Sequence, residues 1–453
     1  MEPGPAPPRP RSLARQDDKD TARDNAASRR RTSTPQVRFD MAKLARLSGF
    51  EKIALFRDFV KYRMTVEALT VYRRLRENNI VQQLKYQDHH GIFHVLLSDP
   101  IAYKDDIIWT VDYMIGIKET LPSQDMLANF LKCCRKWGDL ERARWTFDKM
   151  VELKLDIPTE SWNDMLALYE MQSRDTVLLN QGVKLWEQML TNRGIDSRPD
   201  INSYISVVTI LGHLGRIADA EGIYRQAVEV LPELATDALV TQHRAIRGLG
   251  HPEAELTEKR FATRLFNTML AVYADAGDFD AAFSLAAAYF EKGVLATTDK
   301  LSQASARDTY SLLLKVCSEA RDLDAARRFF DDAQRRGVVP DAVMFGRMIQ
   351  IHGVCGDLEG ARTLFESALA RLNLEPRSRR RHDLHTAFLH ALLASAPIDR
   401  ANAWFDTTYK DSVPEGKHIL RIIYKTVISA NQAAGKTDMV AKYGAEAKRI
   451  YGE

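Results

Sequence analysis

GDLEGARTLF, residues Gly356 to Phe365, nearly repeats GDLERARWTF, residues Gly138 to Phe147, with the same residue at seven of ten positions across a separation of 218. Three more stretches align with them: GRIADAEGIY from Gly215, GDFDAAFSLA from Gly277 and RDLDAARRFF from Arg321. All five carry Ala five residues after the first. Their starts are separated by 77, 62, 44 and 35 residues. The last spacing reads as a bare unit and the longer ones as one or two units with insertions. Self-similarity at such a period marks a chain built from small stacked units rather than from one globule.

Each position in the decapeptide has a mechanical reading. Gly ends one helix in the left-handed conformation, and the Asp behind it accepts hydrogen bonds from the free N–H groups that open the next. Leu140, Ala143 and Phe147 recur at spacings of three and four, which puts them on one face of that second helix. The small Ala lets the paired helices approach, and the Phe fills the space between hairpins. Eleven positions before each start stands a bulky residue: Leu127, Tyr204, Phe266, Tyr310 or Phe345. Two more follow three and four positions later, as in Phe130 with Leu131 and Met348 with Ile349. That is the buried stripe of a first helix. Pro199 and Pro340 mark the break before the next unit. The pattern predicts an all-α chain, an α-solenoid of about nine stacked helix-turn-helix hairpins. No hairpin buries its apolar face alone, and the first helices together make an inner wall suited to binding.

The 453 residues contain no run of about 18 or more apolar residues, so no membrane-spanning helix is expected. Cys133, Cys134, Cys317 and Cys355 form no C-x-x-C pair and have no His at zinc-ligand spacing, against a disulfide framework or a structural zinc. Cys134 and Cys317 both fall seven residues after an opening bulky residue, a core position. His89 and His90 have no third ligand in sight and read as surface or core residues. Residues 1–40 hold nine Lys or Arg against six Asp or Glu, while the rest of the chain carries 55 of each and is neutral. A polyanion partner must then be held by local patches. The first forty residues are rich in Pro, Arg and Ser and cannot bury a core. They read as a disordered organelle presequence or as a plain disordered tail, with Asp17, Asp18, Asp20 and Asp24 unusual for the former.

Two helical repeats share this skeleton. Tetratricopeptide units want Gly four residues after the opening aromatic, where this chain has Leu131, Leu166, Val208, Leu270, Leu314 and Ile349. Units of 35 residues span 124–158 and 307–341, with a P-D-x-x-x-aromatic boundary at Pro199 and Pro340. On these features the chain resembles the pentatricopeptide repeat family, P-type, over roughly residues 50–453. The resemblance implies binding of single-stranded RNA, each hairpin meeting one base through two specificity positions. These are the residue after the opening aromatic and the last residue of the unit. Carried over, they are Asn163 with Asp200, a uracil-type pair, Ser311 with Asp341, a guanine-type pair, and Asn267 with Ala306, half of a pyrimidine-type pair. Ile205, Gly346 and Thr386 hold the first position without a decodable partner. The family often places a phosphate-binding Lys two residues before the Gly; Lys136 matches, and His213, Asp275, Glu319 and Val354 do not. The resemblance further implies a mitochondrial matrix protein in RNA processing, stability or translation, partnered with processing proteins or the mitochondrial ribosome. One fungal branch is implicated in maturing the 5′ end of the mitochondrial small-subunit rRNA.

Each candidate also has a plainer reading. Asn163 near a helix start is commonly a local hydrogen-bonding residue, and Asp200 and Asp341 equally suit turns or caps. The run RSRRRH, containing Arg379 and Arg380, reads as a connection between hairpins, either contacting phosphate or simply solvated. Lys132, Arg135 and Lys136 form a better phosphate patch, since Lys132 and Lys136 lie at i and i+4 of one helix. There is no G-x-x-x-x-G-K-[ST], H-E-x-x-H or G-x-S-x-G, nor the H-x-E with C-x-x-C of zinc deaminases. The reading is non-catalytic, with no cofactor, small-molecule substrate or membrane. A protein-binding scaffold or ribosome-associated adaptor is the alternative to an RNA binder, favoured by the neutral body. The expected organisation is a leader over 1–40, degenerate repeats over 41–123, clear repeats over 124–381 with an insertion near 236–262, and degenerate capping repeats over 382–453.

Overall fold

The computed structural model describes residues 41–116, 122–192, 198–243, 252–291, 300–375, 378–410 and 417–451. The leader lies outside them, as does the middle of the expected insertion. Among the described residues there are helices and no strands. The chain divides into two compact units, Met1–Pro122 and Ser123–Glu453.

The first unit holds α1 (Met41–Arg46), α2 (Gly49–Lys61), α3 (Thr65–Glu77), α4 (Tyr86–Leu96) and α5 (Lys104–Gly116). Ser48 and Glu51 form a reciprocal capping box that starts α2. Its core is aromatic: Phe56 stacks on Tyr72, whose hydroxyl meets Nδ1 of buried His89 at 2.9 Å. Burial lowers the His89 pKa to about 4, so the ring is neutral at physiological pH. His90 instead stacks on Tyr86. Two buried carboxylates are each held by arginine, Asp88 by Arg57 at 2.8 Å and Asp106 by Arg73 and Arg76.

The second unit is an α-solenoid of stacked helix-turn-helix repeats. Its hairpins are α6 (Gln124–Trp137) with α7 (Leu140–Glu152), α8 (Thr159–Glu170) with α9 (Thr176–Thr191), and α10 (Ile201–His213) with α11 (Ile217–His243). Next come α12 (Pro252–Ala276) with α13 (Phe279–Glu291), α14 (Lys300–Ala320) with α15 (Leu323–Arg335), and α16 (Ala342–Val354) with α17 (Leu358–Leu372). The stack continues with α18 (Arg379–Ser395) and α19 (Ile398–Trp404), which runs into a π turn over Phe405–Tyr409, and ends on α20 (Lys417–Ala433) with α21 (Thr437–Tyr451). Reciprocal side-chain amide bonds of 2.7 and 2.8 Å join buried Asn402 on α19 to buried Asn431 on α20.

The turns behave as their residues dictate. Gly138, Gly215, Gly277 and Gly356 have φ of 69°, 70°, 74° and 82°. Arg321 takes the same place at 56°, a left-handed residue with a side chain to accommodate. At all five turns the next residue's N–H reaches back five positions, as from Asp139 to the Cys134 carbonyl at 3.0 Å and from Asp357 to that of His352 at 2.8 Å. Asp139, Asp278, Asp322 and Asp357 then cap the following helix. Arg216 replaces Asp after Gly215, and its guanidinium has no acceptor with which to make such a cap.

The repeated Ala is fully buried in all five hairpins, as are Cys134 and Cys317, whose thiols burial pushes up to about 12. At four junctions an aromatic of the second helix meets the opener of the next hairpin: Phe147 on Trp162, Trp186 on Tyr204, Phe290 on Tyr310 and Phe330 on Phe345, with centroids 4.9 to 5.6 Å apart. First helices touch in succession, α6 to α8, then α10, α12, α14, α16 and α18.

Three features differ from the sequence reading. The described residues hold ten hairpins rather than about nine, two of them in the first unit. The turn between α2 and α3 there uses Arg63 at φ 53° instead of Gly, so a search for the Gly turn passes over it. The expected insertion near 236–262 largely lengthens helices already present: α11 has 27 residues and α12 has 25, where most of their counterparts have 12 to 17. Finally, Arg379, Arg380 and Arg381 form the first turn of α18 and not a connection, because Ser378 caps that helix through the Arg381 N–H. Arg377 lies outside the described residues.

Candidate nucleic-acid interface

The residue after each opener falls at one level along the row of first helices. On α8 this is Asn163, buried and bonded at both ends of its amide: its Nδ2 donates to Asp200 Oδ1 at 3.0 Å, and its Oδ1 accepts from Ser203 Oγ at 2.6 Å. Asp200 itself caps α10 through the N–H groups of Asn202 and Ser203. Asn163 and Asp200, 37 positions apart, therefore stand side by side because two successive hairpins stack in register. Ser203 completes the cluster, and Arg264 from α12 reaches its edge, donating to Asn202 Oδ1 at 3.0 Å.

The other pairs are less tightly drawn. Asn267 Oδ1 on α12 accepts from Thr309 Oγ1 at 2.9 Å, while Ala306, its expected partner, is fully buried. Asp341 is committed to capping α16 through the N–H groups of Val343 and Met344, and Ser311 on α14 is half-buried. At Gly346 there is no side chain, and a Cβ would touch Ala387 of α18 at 3.5 Å. Thr386 meets the Tyr409 hydroxyl at 3.1 Å.

The basic residues separate into held and exposed groups. Arg135 donates to buried Asp164 of α8 at 2.8 Å. Burial raises the Asp164 carboxyl above its usual range even beside that guanidinium. Lys132 and Lys136 are exposed on the same helix as Arg135, and Arg379 and Arg380 on α18. Toward α14 the sign changes: Lys315 lies 3.3 Å from Asp275 and 3.6 Å from Glu319. The row is thus basic at α6, mixed at α12 and α14, and basic again at the start of α18.

A cavity of about 310 Å³ opens where α8, α10 and α12 meet, lined by Glu170, Ile205, Thr209, His213, Asn267 and Asp275 among others. Glu170 accepts from Ser206 Oγ at 2.8 Å, and burial raises its carboxyl above the usual range. Sequence reasoning missed Glu170, Ser203, Arg264 and Thr309. Glu170 had a signal: it stands eight residues after its opener, the place of Arg135 one hairpin earlier. Among the described residues no group of three or more His, Cys, Asp or Glu is placed to hold a metal, and no helix is long and apolar enough to cross a membrane.

The model for the pentatricopeptide (PPR) repeat matches residues 129–155, 264–286 and 308–338. A pentatricopeptide repeat-containing protein of Arabidopsis thaliana is 23% identical over 329 residues, covering 71% of this chain and 36% of the relative. The chain thus spans about a third of that relative's length. A second Arabidopsis protein of the same description is 33% identical over 58 residues, 13% of this chain and 8% of its own. Among solved structures, maize PPR10 is 13% identical with a TM-score of 0.31, covering 96% of this chain and 72% of its own. Yeast Rmd9p, in complex with a 16-nucleotide target RNA, is 12% identical with a TM-score of 0.38, covering 89% and 72%.

Proposed function

From a chain that carries pentatricopeptide repeats, we propose a non-catalytic factor that binds single-stranded RNA along the row of first helices in the second unit. The observation that carries the reading is the succession of first-helix contacts from α6 to α18, with Asn163, Ile205, Asn267, Ser311 and Gly346 at one repeat position. Such a row can meet successive bases of an unpaired strand. Lys132, Lys136, Arg379 and Arg380 are exposed to meet phosphates at its two ends, and Asn163 with Asp200 discriminates at one nucleotide by exchanging their mutual hydrogen bond for bonds to a base edge. The mechanism is passive: the protein covers a strand, keeps it unpaired or blocks a nuclease. At finer grain we place it in the mitochondrial matrix, in organellar RNA processing, stability or translation, with 5′-end maturation of the small-subunit rRNA as the specific assignment. Leader composition and the family resemblance support that placement.

The test is affinity for unstructured RNA against salt. Counterion release predicts a steep linear fall of log K with log salt, with a slope of roughly −0.7 per phosphate contacted. Negligible RNA affinity at every salt concentration would leave the second reading, a protein-binding scaffold. The neutral body and the Arg135–Asp164 and Lys315–Asp275 pairs favour it. Replacement of Asn163 by Ser is expected to shift base preference at one nucleotide by roughly 1–3 kcal/mol. Sequencing RNA crosslinked to the protein in cells checks the rRNA assignment, and imaging of a fluorescent fusion checks the compartment.

A further inference from the structure

The cavity at the meeting of α8, α10 and α12 includes the repeat positions Ile205 and Asn267, but the repeat pattern assigns no role to Glu170 beside them. Its volume of about 310 Å³ is at the small end of ligand pockets. One wall accepts. Ser206 Oγ aims the Glu170 carboxylate by donating to Oε2 at 2.8 Å, and burial deprives the group of solvent donors. Another part of the lining donates: Thr309 Oγ1 lies 2.9 Å from Asn267 Oδ1 and 3.0 Å from the Ser305 carbonyl, its one hydrogen shared between them, and the Asn267 Nδ2 amide keeps its hydrogens to offer. Apolar Ile205 and Val272 complete the lining, and Gly212 spares it a side chain, since a Cβ there would come within 2.5 Å of Val272. Asp275, also on the lining, is answered by Lys315 at 3.3 Å.

We infer that this cavity takes a guanine base extruded from the bound strand, with N1–H and N2–H donating to the two oxygens of Glu170 and the O6 and N7 edge accepting from Asn267 Nδ2. The inference rests on the RNA reading above and names a base that its repeat positions, with Ile205 at this step, do not specify. Guanine alone among the four bases presents two adjacent donors matched to a carboxylate. Uracil flanks its single N–H with carbonyls, and adenine and cytosine set one amino group beside an acceptor.

The probe is a labelled oligouridine of about 16 nucleotides carrying one guanosine at each position in turn, or one inosine, which lacks only the 2-amino group. Anisotropy titrations use the full chain at about 0.1 M salt. At one position guanosine is expected to bind roughly ten- to a hundredfold tighter than uridine. Inosine loses most of that gain, and Glu170→Gln erases the guanosine–inosine difference. Equal binding of guanosine and inosine at every position overturns the pocket while leaving the RNA reading standing. A difference that survives Glu170→Gln removes Glu170 from it. No binding to any oligomer overturns the RNA reading and the pocket with it. The wild-type comparison decides the matter alone if the variant fails to fold, and a cavity built for an arginine of a protein partner would show no guanosine preference at all.

Discussion

Helices α8 and α16 occupy equivalent places in the stack and differ at two matched positions: Asn163 and Glu170 on the one, Gly346 and Gly353 on the other. Around α8 the junction with the next first helix is polar, with Asn163 bonded to Asp200 and Ser203, and Glu170 to Ser206. Around α16 it is shut. A Cβ at Gly353 would lie 2.4 Å from the Ala391 Cα, and one at Gly346 3.5 Å from the Ala387 Cβ. The same repeat skeleton therefore makes a polar, chemically addressed junction or a sealed one according to two side chains per hairpin. Aromatic packing between hairpins sets the stack; these two positions decide what each step offers a ligand.

The sharpest way to break that comparison is to transplant a residue. Gly353→Glu places a carboxylate against the backbone of α18 and is expected to cost about 4 kcal/mol or more, read as a lower urea midpoint. The mirror swap, Glu170→Gly, costs about 1 kcal/mol. Comparable losses in both would mean the junctions are alike. Next, Ser203→Ala strands the buried Asn163 carbonyl and is expected to cost about 1–3 kcal/mol. A loss no larger than that of an exposed Ser→Ala would show that the cluster contributes nothing.

The two junctions should also answer acid in opposite senses. Burial between Phe365 and Trp404 lowers the His385 pKa to about 4, with Arg381 and His382 adding repulsion. Its unfolded value is near 6.5. Between these values the unfolded chain binds the extra proton, so stability at α18 is complete above about pH 6.5 and falls as pH drops toward 4, by on the order of 2 kcal/mol. Asp164 and Glu170 have raised folded values, so their penalty at α8 is present at neutral pH and is relieved in acid. Hydrogen exchange corrected for intrinsic rate, at pH 7 and about pH 4.5, should show α18 losing protection relative to α8. His385→Phe should remove the loss. Smallest of all, Arg321→Gly at φ 56° is expected to stabilise by up to about 1 kcal/mol, since Gly adopts that conformation without strain. A fall in melting temperature would contradict the reading of that turn.

What the sequence made legible was whatever is local and recurrent. The turn residues, the small buried Ala and the aromatic openers each repeat their reason in every unit, and the structure places them as expected. Arg135 with Asp164, Ser203 with Asn163 and Thr309 with Asn267 were not legible, because each joins side chains 29, 40 or 42 positions apart across hairpins whose insertions differ. The start of α18 was misread for another reason. Three arginines oppose the helix dipole in a first turn, so the run looks like a connection, yet the Ser378 cap and the buried face of Leu384, Phe388 and Leu392 outweigh it.

The paired amides of Asn402 and Asn431 bear on which hairpin can fill the joint between α19 and α20. A one-dimensional stack is open to impostors, since a terminal hairpin from a second molecule could settle on the same apolar surface. Any occupant lacking a matching amide would strand polar atoms at the dry heart of that joint. Those two asparagines favour, at that joint, a hairpin that brings a matching amide over any apolar hairpin that does not.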